Sequence, residues 1–309
     1  MKEVRIFSPA SIANISCGFD VLGMCLDNVG DEMVIRKSNK KGIQIIKITG
    51  QELPLETSQN VAGVAGLALL DDLGGEHGFE IEIYKKIKAG SGIGSSAASS
   101  AGAVAGINFL LGNPYTNKEL FRFAMEGERL ASGTAHADNV APLLLGGFTL
   151  VRDCATLDII KLNTPLEIAA SVIHPQIEVK TSDARALLKK KIPLKKAITQ
   201  WANLGALVSG LYEEDYELIS RSLEDVIVEP IRSILIPDFD ALKEGCKKAG
   251  ALGSGISGSG PSVFALSKGI FTAHKVAEAM KAIYQKTGIE FDTHVSTLNY
   301  EGIKILEYK

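Results

Sequence analysis

Cysteine is scarce in this sequence. Its four copies in 309 residues, Cys17, Cys25, Cys154 and Cys246, stand far apart. No C-x-x-C pair occurs, so neither a zinc knuckle nor a disulfide framework is indicated. An excess of one charge is missing too: the formal net charge is −3, which leaves no electrostatic footprint for nucleic acid. The one basic cluster, Lys189 to Lys191 with Lys195 and Lys196, reads as a solvated helix face. No uncharged apolar run approaches the roughly 18 residues that a membrane span needs. The opening "MKEVRIFSPASIAN" also lacks the apolar core of a signal peptide. These absences lead us to expect a reducing, cytoplasmic setting with no nucleic-acid or membrane partner.

With 46% hydrophobic and 22% charged residues, the chain can bury a substantial core. Short strand-like runs open it: "EVRIF", "GMCLD", "DEMVIRKS" and "GIQIIKITG". Residues 58–73 are apolar at helical spacing, with Ser58 as the expected N-cap. "GFEIEIYKKI" alternates with period two, the pattern of a strand with one buried face. A helix "NKELFRFAMEGERLA" and a strand "GGFTLVRD" follow. Beyond them come the strand "LEIAASVIHP", a helical series over 182–222, the helix "FDALKEGCKKAG", and the strands "SVFALS" and "FDTHVSTL" around one more helix. Strands and helices mix without a regular βαβ repeat, so the expected class is α+β in layers. The charge-dotted stretch 153–158 is the expected boundary between domains at 1–157 and 158–309.

Two Gly/Ser loops stand out, "KAGSGIGSSAA" at 88–98 and "GSGISGSGPS" at 253–262. The second has a formal G-x-G-x-x-G spacing, but a helix precedes it and a strand follows, the reverse of a dinucleotide fingerprint. In the first, a strand feeds the loop and the loop opens a helix. Gly90, Gly92 and Gly94 remove the Cβ atoms that would block a ligand from the backbone. Ser95 and Ser96 fall where the helix starts, and free N–H groups with the helix dipole make an anion site there. A bare linker would lack the alternating strand before it and the Ala-rich helix after it. Neither G-x-x-x-x-G-K-[ST] nor G-x-S-x-G occurs, which removes the P-loop and weakens the α/β-hydrolase reading. A third segment, 131–148, crowds His136, Asp138 and Asn139 before an apolar turn and a Gly-Gly. Asp138 or Asn139 reads equally well as a cap of that turn, and His136 has no second His at metal-ligand spacing.

"GSGIGSSAA", "HADNVAP…GG" and "GISGSGPSVFAL", in that order over nearly the whole chain, resemble the GHMP small-molecule kinases. "SIANISCGFD", "HADNVAP", "TSDAR" and "EPIR" carry the resemblance further, to the homoserine kinase branch. The resemblance implies an N-terminal domain like domain 2 of ribosomal protein S5, a ferredoxin-like C-terminal domain, and a site between them. The implied reaction is phosphoryl transfer from ATP to L-homoserine, giving O-phospho-L-homoserine and ADP in threonine biosynthesis. A kinase for mevalonate or shikimate, and a non-catalytic nucleotide-binding regulator on the same fold, are the alternatives. A homodimer is also implied.

Carried over residue by residue, the resemblance puts the nucleotide on Lys88, Ala89, Gly90, Ser91, Gly92, Ile93, Gly94, Ser95, Ser96, Ala97 and Ala98, with Asn60 and Val61 near the adenine. Lys88 stands where the family usually has Pro. Mg²⁺ falls to Ser96 and Glu128, a sparse set of the kind that ion takes. Glu126 lies about 200° around the same helix, so it and Glu128 cannot share a metal. Arg185 and Arg232 are assigned the substrate carboxylate and Asp20 the ammonium. Asn14, His136, Thr181 and Asn139 are expected to line the same pocket. Related kinases hold an Asp seven residues before the Gly-Gly pair; here that place is Asn139, which cannot act as a base. The expectation is therefore a reaction without a dedicated base, in which Asn139 orients the hydroxyl and Asp138 points away.

Overall fold

A computed structural model describes residues 1–133 and 137–309. The first sheet takes β1 (Glu3–Ala13), β2 (Leu22–Lys37), β3 (Gly42–Thr49), β4 (Gly78–Tyr84), β5 (Phe148–Asp153), β6 (Asp158–Lys161) and β11 (Lys304–Tyr308). Its order is β11-β1-β2-β4-β3, and β5 joins β2 and β6. Helices α1 (Val61–Asp72), α2 (Ser95–Leu110), α3 (Asn117–Ser132) and α4 (Ala137–Leu145) belong to this layer. The second sheet takes β7 (Ile168–Pro175), β8 (Gly253–Ile256), β9 (Val263–Lys268) and β10 (Phe291–Thr297). Between β7 and β8 lie α5 (Thr181–Ala186), α6 (Leu194–Glu213), α7 (Tyr216–Ser222), α8 (Glu229–Arg232) and α9 (Phe239–Lys248), and α10 (Ile270–Tyr284) precedes β10. The sheet is antiparallel in the order β10-β7-β9-β8. With α9 and α10 it forms the βαββαβ ferredoxin-like unit, into which α5–α8 are inserted.

Local sequence accounts for these elements. In β4 the alternation buries Phe79, Ile81 and Ile83. Every residue of β7 is buried, as a central strand demands. The Ala/Gly/Ser run of α2 lets that helix lie close against the sheet. A Cβ on Gly106 would stand 2.3 Å from Ile35 Cδ1. Two cores follow, a large one that runs from the first layer into β7, β9 and α6 through Val172, Phe264 and Leu211, and a smaller one around Phe239, Val263, Met280 and Tyr284.

Three sequence expectations change. "GMCLD" and "DEMVIRKS" are one strand, the 16-residue β2, because both halves pair with β1 on either side of a register shift between Pro9 and Ser11. The 157/158 division falls inside a hairpin, since Thr149 pairs with Lys161 and Leu150 with Ile160. The last strand, β11, also returns to the first sheet, against β1. Finally, Ser58 sits in a single 3₁₀ turn, and Asn60 caps α1 instead, accepting from the amides of Ala62 and Gly63. Its Nδ2 donates to the Pro54 carbonyl at 2.8 Å, so the Asn60 side chain is committed to structure.

Asn60→Ala is expected to lower the unfolding free energy by about 1 kcal/mol, the usual worth of an N-cap. Ser58→Ala should stay within about 0.5 kcal/mol. Urea denaturation of the two variants checks both.

Candidate active site

The loop between β4 and α2 is built on left-handed glycines, with φ of +75° at Gly90, +82° at Gly92 and +73° at Gly94. They face different things. A Cβ on Gly92 would lie 2.7 Å from the carbonyl oxygens of Ser257 and Gly260, and one on Gly94 2.1 Å from Ser11 Oγ. One on Gly90 would meet nothing within 4 Å. Gly90 therefore faces a cleft of about 340 Å³, walled also by Gly94, Ser95, Ser96 and the apolar Leu53 and Val61. The first amides of α2 have no intrahelical acceptor and open at this cleft. Not every residue of 88–98 lines it. Ile93, Ala97 and Ala98 turn into the core and Ser91 is enclosed, while Ala89 lines the cleft but gives its amide to Gln51. Lys88 reaches away to Gln176 at the end of β7.

The loop's missing cation lies beneath it. Lys85 is buried and ion-paired with Asp31 of β2. Its Nζ donates to the Ser95 carbonyl at 3.0 Å and to Ser99 Oγ at 3.2 Å, and it forms part of the cleft wall. Asp31 Oδ1 accepts from the amides of Lys86 at 2.7 Å and Ile87 at 2.9 Å. One carboxylate thus fixes both the chain entering the loop and the ammonium under it. Burial pulls the Lys85 ammonium downward in pKa, and Asp31 opposes that shift.

Across the cleft Glu128 of α3 is buried and hydrogen-bonded to Ser96. Burial pushes its carboxyl up to about 7, against the opposing effect of that bond. Glu126 points outward to Arg129. Ser96 and Glu128 thus offer a hydroxyl and a carboxyl oxygen, hard donors suited to Mg²⁺. A cation there would offset the burial that holds Glu128 in its neutral form. No group of three or more His, Cys, Asp or Glu is placed to hold a metal among the described residues.

A second, smaller cavity of about 50 Å³ is lined by Asn14, Phe19, Asp20, Asp138, Arg185 and Arg232. Asn139, Thr181, Gly258 and Ser259 line both cavities, so the two meet there. Asn139 Oδ1 accepts from Ser11 Oγ at 2.8 Å. Arg185 Nη2 holds Asp20 with both carboxylate oxygens, at 2.8 and 3.0 Å. Arg232 is 3% exposed and donates to the carbonyls of Ala184 at 3.2 Å and Gly258 at 3.3 Å. Both guanidinium groups sit over the Phe19 ring, 5.4 and 4.9 Å from its centroid. The segment carrying Asn14 and Asp20 is strained. Asn14, Ile15, Ser16 and Asp20 all have positive φ, 41° at the β-branched Ile15. The Asn14 side chain locks it, donating to Gly258 O at 2.7 Å and accepting from the Asp20 amide at 3.0 Å.

Asp138 does not point away. It is fully enclosed and faces the smaller cavity, because α4 begins at Ala137 and turns it inward. A Cβ on Gly23 would stand 1.8 Å from the Asp138 carbonyl oxygen, so that glycine admits α4 against β2. Burial, then the charges of Asp20 and Glu128, push the Asp138 carboxyl up to about 7. His136 lies outside the described residues. Sequence reasoning missed Lys85, Asp31 and Phe19. "CGFD" put Phe19 beside Asp20, but only the fold shows two arginines on its ring.

Family models for the GHMP kinase N-terminal domain and the GHMP kinase C-terminal domain match residues 60–147 and 207–286. The homoserine kinase of Chloroherpeton thalassium is 45% identical, the match covering 99% of this chain and 100% of the relative. That of Xylella fastidiosa strain M12 is 39% identical over 98% of this chain and 94% of its own. A crystal structure of homoserine kinase from Cytophaga hutchinsonii superposes with a TM-score of 0.95 at 51% identity, covering 99% and 98% of the two chains. Mevalonate kinase of Methanococcus jannaschii shares the fold alone, with a TM-score of 0.69 at 15% identity over 96% and 98%.

Two predictions follow from this geometry. Asp31→Asn leaves Lys85 buried without its counter-charge and is expected to cost about 3–5 kcal/mol of stability. Adding Lys85→Met should recover most of that loss in chemical denaturation. The pH dependence comes from Glu128 and Asp138. Their folded pKa values are raised to about 7, so between pH 5 and 7 the folded state binds more protons than the unfolded state. The ligand-free protein should therefore lose stability as pH rises through that window, and Glu128→Gln with Asp138→Asn should flatten the fall.

Proposed function

The chain belongs to the GHMP kinases and, among them, to the homoserine kinases. From that premise we propose that it moves the γ-phosphoryl group of ATP onto the side-chain hydroxyl of L-homoserine where its two cavities meet. The observation that carries this reading is the shared wall: Asn139, Thr181, Gly258 and Ser259 border both the glycine-loop cleft and the smaller charged cavity. A phosphate chain on the loop and a zwitterion between Asp20 and the arginines would bring their reacting ends together at that wall.

ATP is bound with its phosphates on the backbone of 90–96 and its adenine toward Leu53 and Val61. The amides of α2 compensate the anion at the loop surface, and Lys85, paired with Asp31, braces the Ser95 carbonyl beneath them. Ser96 and Glu128 would hold Mg²⁺, which supplies charge neutralisation on the phosphate oxygens when bound; phosphates and water complete so sparse a protein set.

In homoserine's pocket the substrate replaces part of an existing ion pair. Its carboxylate takes the guanidinium forks of Arg185 and Arg232, and its ammonium takes Asp20. Arg232 is held in place by two backbone carbonyls, so it needs no rearrangement to receive an anion. Asn139 orients the hydroxyl, its own carbonyl fixed by Ser11. The hydroxyl oxygen forms a bond to the γ-phosphorus, and the bond to the bridging oxygen breaks to release ADP. Asp138 accepts the hydroxyl proton, since a carboxyl poised near neutral pH suits general-base work. This replaces the base-free scheme expected from sequence.

A coupled ADP-release assay with homoserine, threonine, serine and mevalonate tests the reaction. Turnover is expected with homoserine, and its absence would end the proposal. Asp138→Asn should lower kcat about 10²–10⁴-fold and abolish the acidic limb of the pH–rate profile. A limb that survives in Asp138→Asn restores the base-free scheme. Arg185→Met should raise the homoserine KM about 10–100-fold, the worth of a hydrogen bond to a charged group, and leave the KM for ATP little changed.

A further inference from the structure

Two buried polar atoms behind Arg232 have no partner among the described residues. Ser16 is 4% exposed and Glu229 7%, yet neither Ser16 Oγ nor Glu229 Oε2 meets a hydrogen-bonding group of the chain. Both residues line a third cavity, of about 10 Å³, which Asp225 and Arg232 also border. The other oxygen of Glu229 accepts from Lys243 Nζ of α9. A Cβ on Gly255 of β8 would stand 3.0 Å from Glu229 Oε2, so that glycine leaves the carboxylate its room. Asp225 is already supplied. Its Oδ1 accepts from the amides of Ile227 at 2.8 Å and Val228 at 2.9 Å, and its Oδ2 from that of Glu229 at 2.9 Å.

We propose that one buried water molecule bridges Ser16 Oγ and Glu229 Oε2, and that the two side chains act through it as positioning residues for the charged end of the substrate. A cavity of this size takes a single water and little else. Water matches its walls, donating to the carboxylate and accepting from the hydroxyl. A cation would stand beside the Arg232 guanidinium, with Glu229 already paired to Lys243. The bridge lies directly behind the substrate pocket, since Asn14, Phe19, Arg232 and Gly258 line both cavities. It joins two separate pieces of that pocket. On one side Glu229 and Arg232 are three positions apart on α8, so they share a face of that turn. On the other, Ser16 has a φ of +58° in the strained segment that leads to Phe19 and Asp20. Asn14 ties this segment to Gly258 O at 2.7 Å, and Gln200 ties it at Cys17 O at 3.0 Å. A bridge at Ser16 fixes the stretch between them against α8. It thereby sets the distance from Arg232 to Asp20, the groups that the proposed reaction assigns to the carboxylate and ammonium of homoserine. The positioning role rests on that reading; the water does not.

A high-resolution crystal structure and a double-mutant cycle test this. The density should show one water within hydrogen-bond distance of both atoms, as well ordered as its surroundings. Ser16→Ala and Glu229→Gln should each raise the homoserine KM about 5–10-fold and leave kcat and the ATP KM within about twofold. Combined, they should do no more than the worse single variant, because each removes the same bridge. Ser16→Asn should recover most of the loss, since Asn tolerates positive φ and its longer amide can donate to Glu229 in place of the water. Variants that lower the melting temperature but leave the homoserine KM unchanged would overturn the positioning role. Additive effects would do the same. A direct contact between Ser16 and Glu229, an ion, or a cavity without density would overturn the bridge. If the wild type turns over no homoserine, the proposed reaction fails and the positioning role with it, while the water is still decided by the crystal density.

Discussion

Everything in the cleft depends on how the turn at 257–260 seats on the first domain. Ser257 Oγ donates to Gly92 O at 2.7 Å, and the Gly258 amide donates to Ala13 O at 3.3 Å. Gly258 O then accepts from both Asn14 and Arg232. A few polar atoms therefore join the first glycine loop, the strained end of β1 and Arg232. The absence of a Cβ at Gly92 and Gly258 is what allows the two backbones to approach. The second glycine-rich loop, which has the letter pattern of a dinucleotide site, is thus the first loop's packing partner. Its glycines serve contact between protein segments, and Gly90 alone of these three faces open space.

Charge is handled in the same layered way. The first glycine loop offers amides on its surface and keeps a lysine underneath, held by Asp31. A lysine on the surface would be mobile and hydrated. A buried one has a fixed position, and paired with Asp31 it presents an oriented dipole whose ammonium end is held at the Ser95 carbonyl. The cost is a desolvated ion pair, which is tolerable because Asp31 is fully supplied with donors: the Lys85 ammonium and two backbone amides.

These two features explain what was legible in the sequence. The order strand, glycine loop, helix is a local pattern, and it recovers β4 and α2. Arg185, Arg232, Asp20 and Asn14 were reached through short motifs, and the fold gathers all four at one cavity. Lys85 was not reached, because its role needs Asp31, 54 positions away on a neighbouring strand. Asp138 was misdirected for a subtler reason. Neighbours on a helix point about 100° apart, so placing Asn139 at the junction appeared to exclude Asp138. The site is concave, however, and surrounds the start of α4 on two sides, so both residues reach it. β11 was invisible because its residues are mostly exposed; it is held by ladder hydrogen bonds to β1 rather than by an apolar pattern.

The ion pair between Asp20 and Arg185 carries the selectivity argument further. Without ligand, each group already has its counter-charge, so neither is stranded in a partly buried pocket. A zwitterion brings one charge for each and can enter without leaving an unpaired group. A substrate bearing only a carboxylate would compete for Arg185 and bring Asp20 no counter-charge in exchange, beside Asp138, whose carboxyl Asp20 already pushes toward neutrality. That repulsion would penalise hydroxy acids lacking an amino group more heavily than the loss of one hydrogen bond alone. With homoserine as the proposed substrate, the pocket would discriminate through the charge it leaves uncompensated, the same physics by which a site built for a polar group rejects an analogue lacking it.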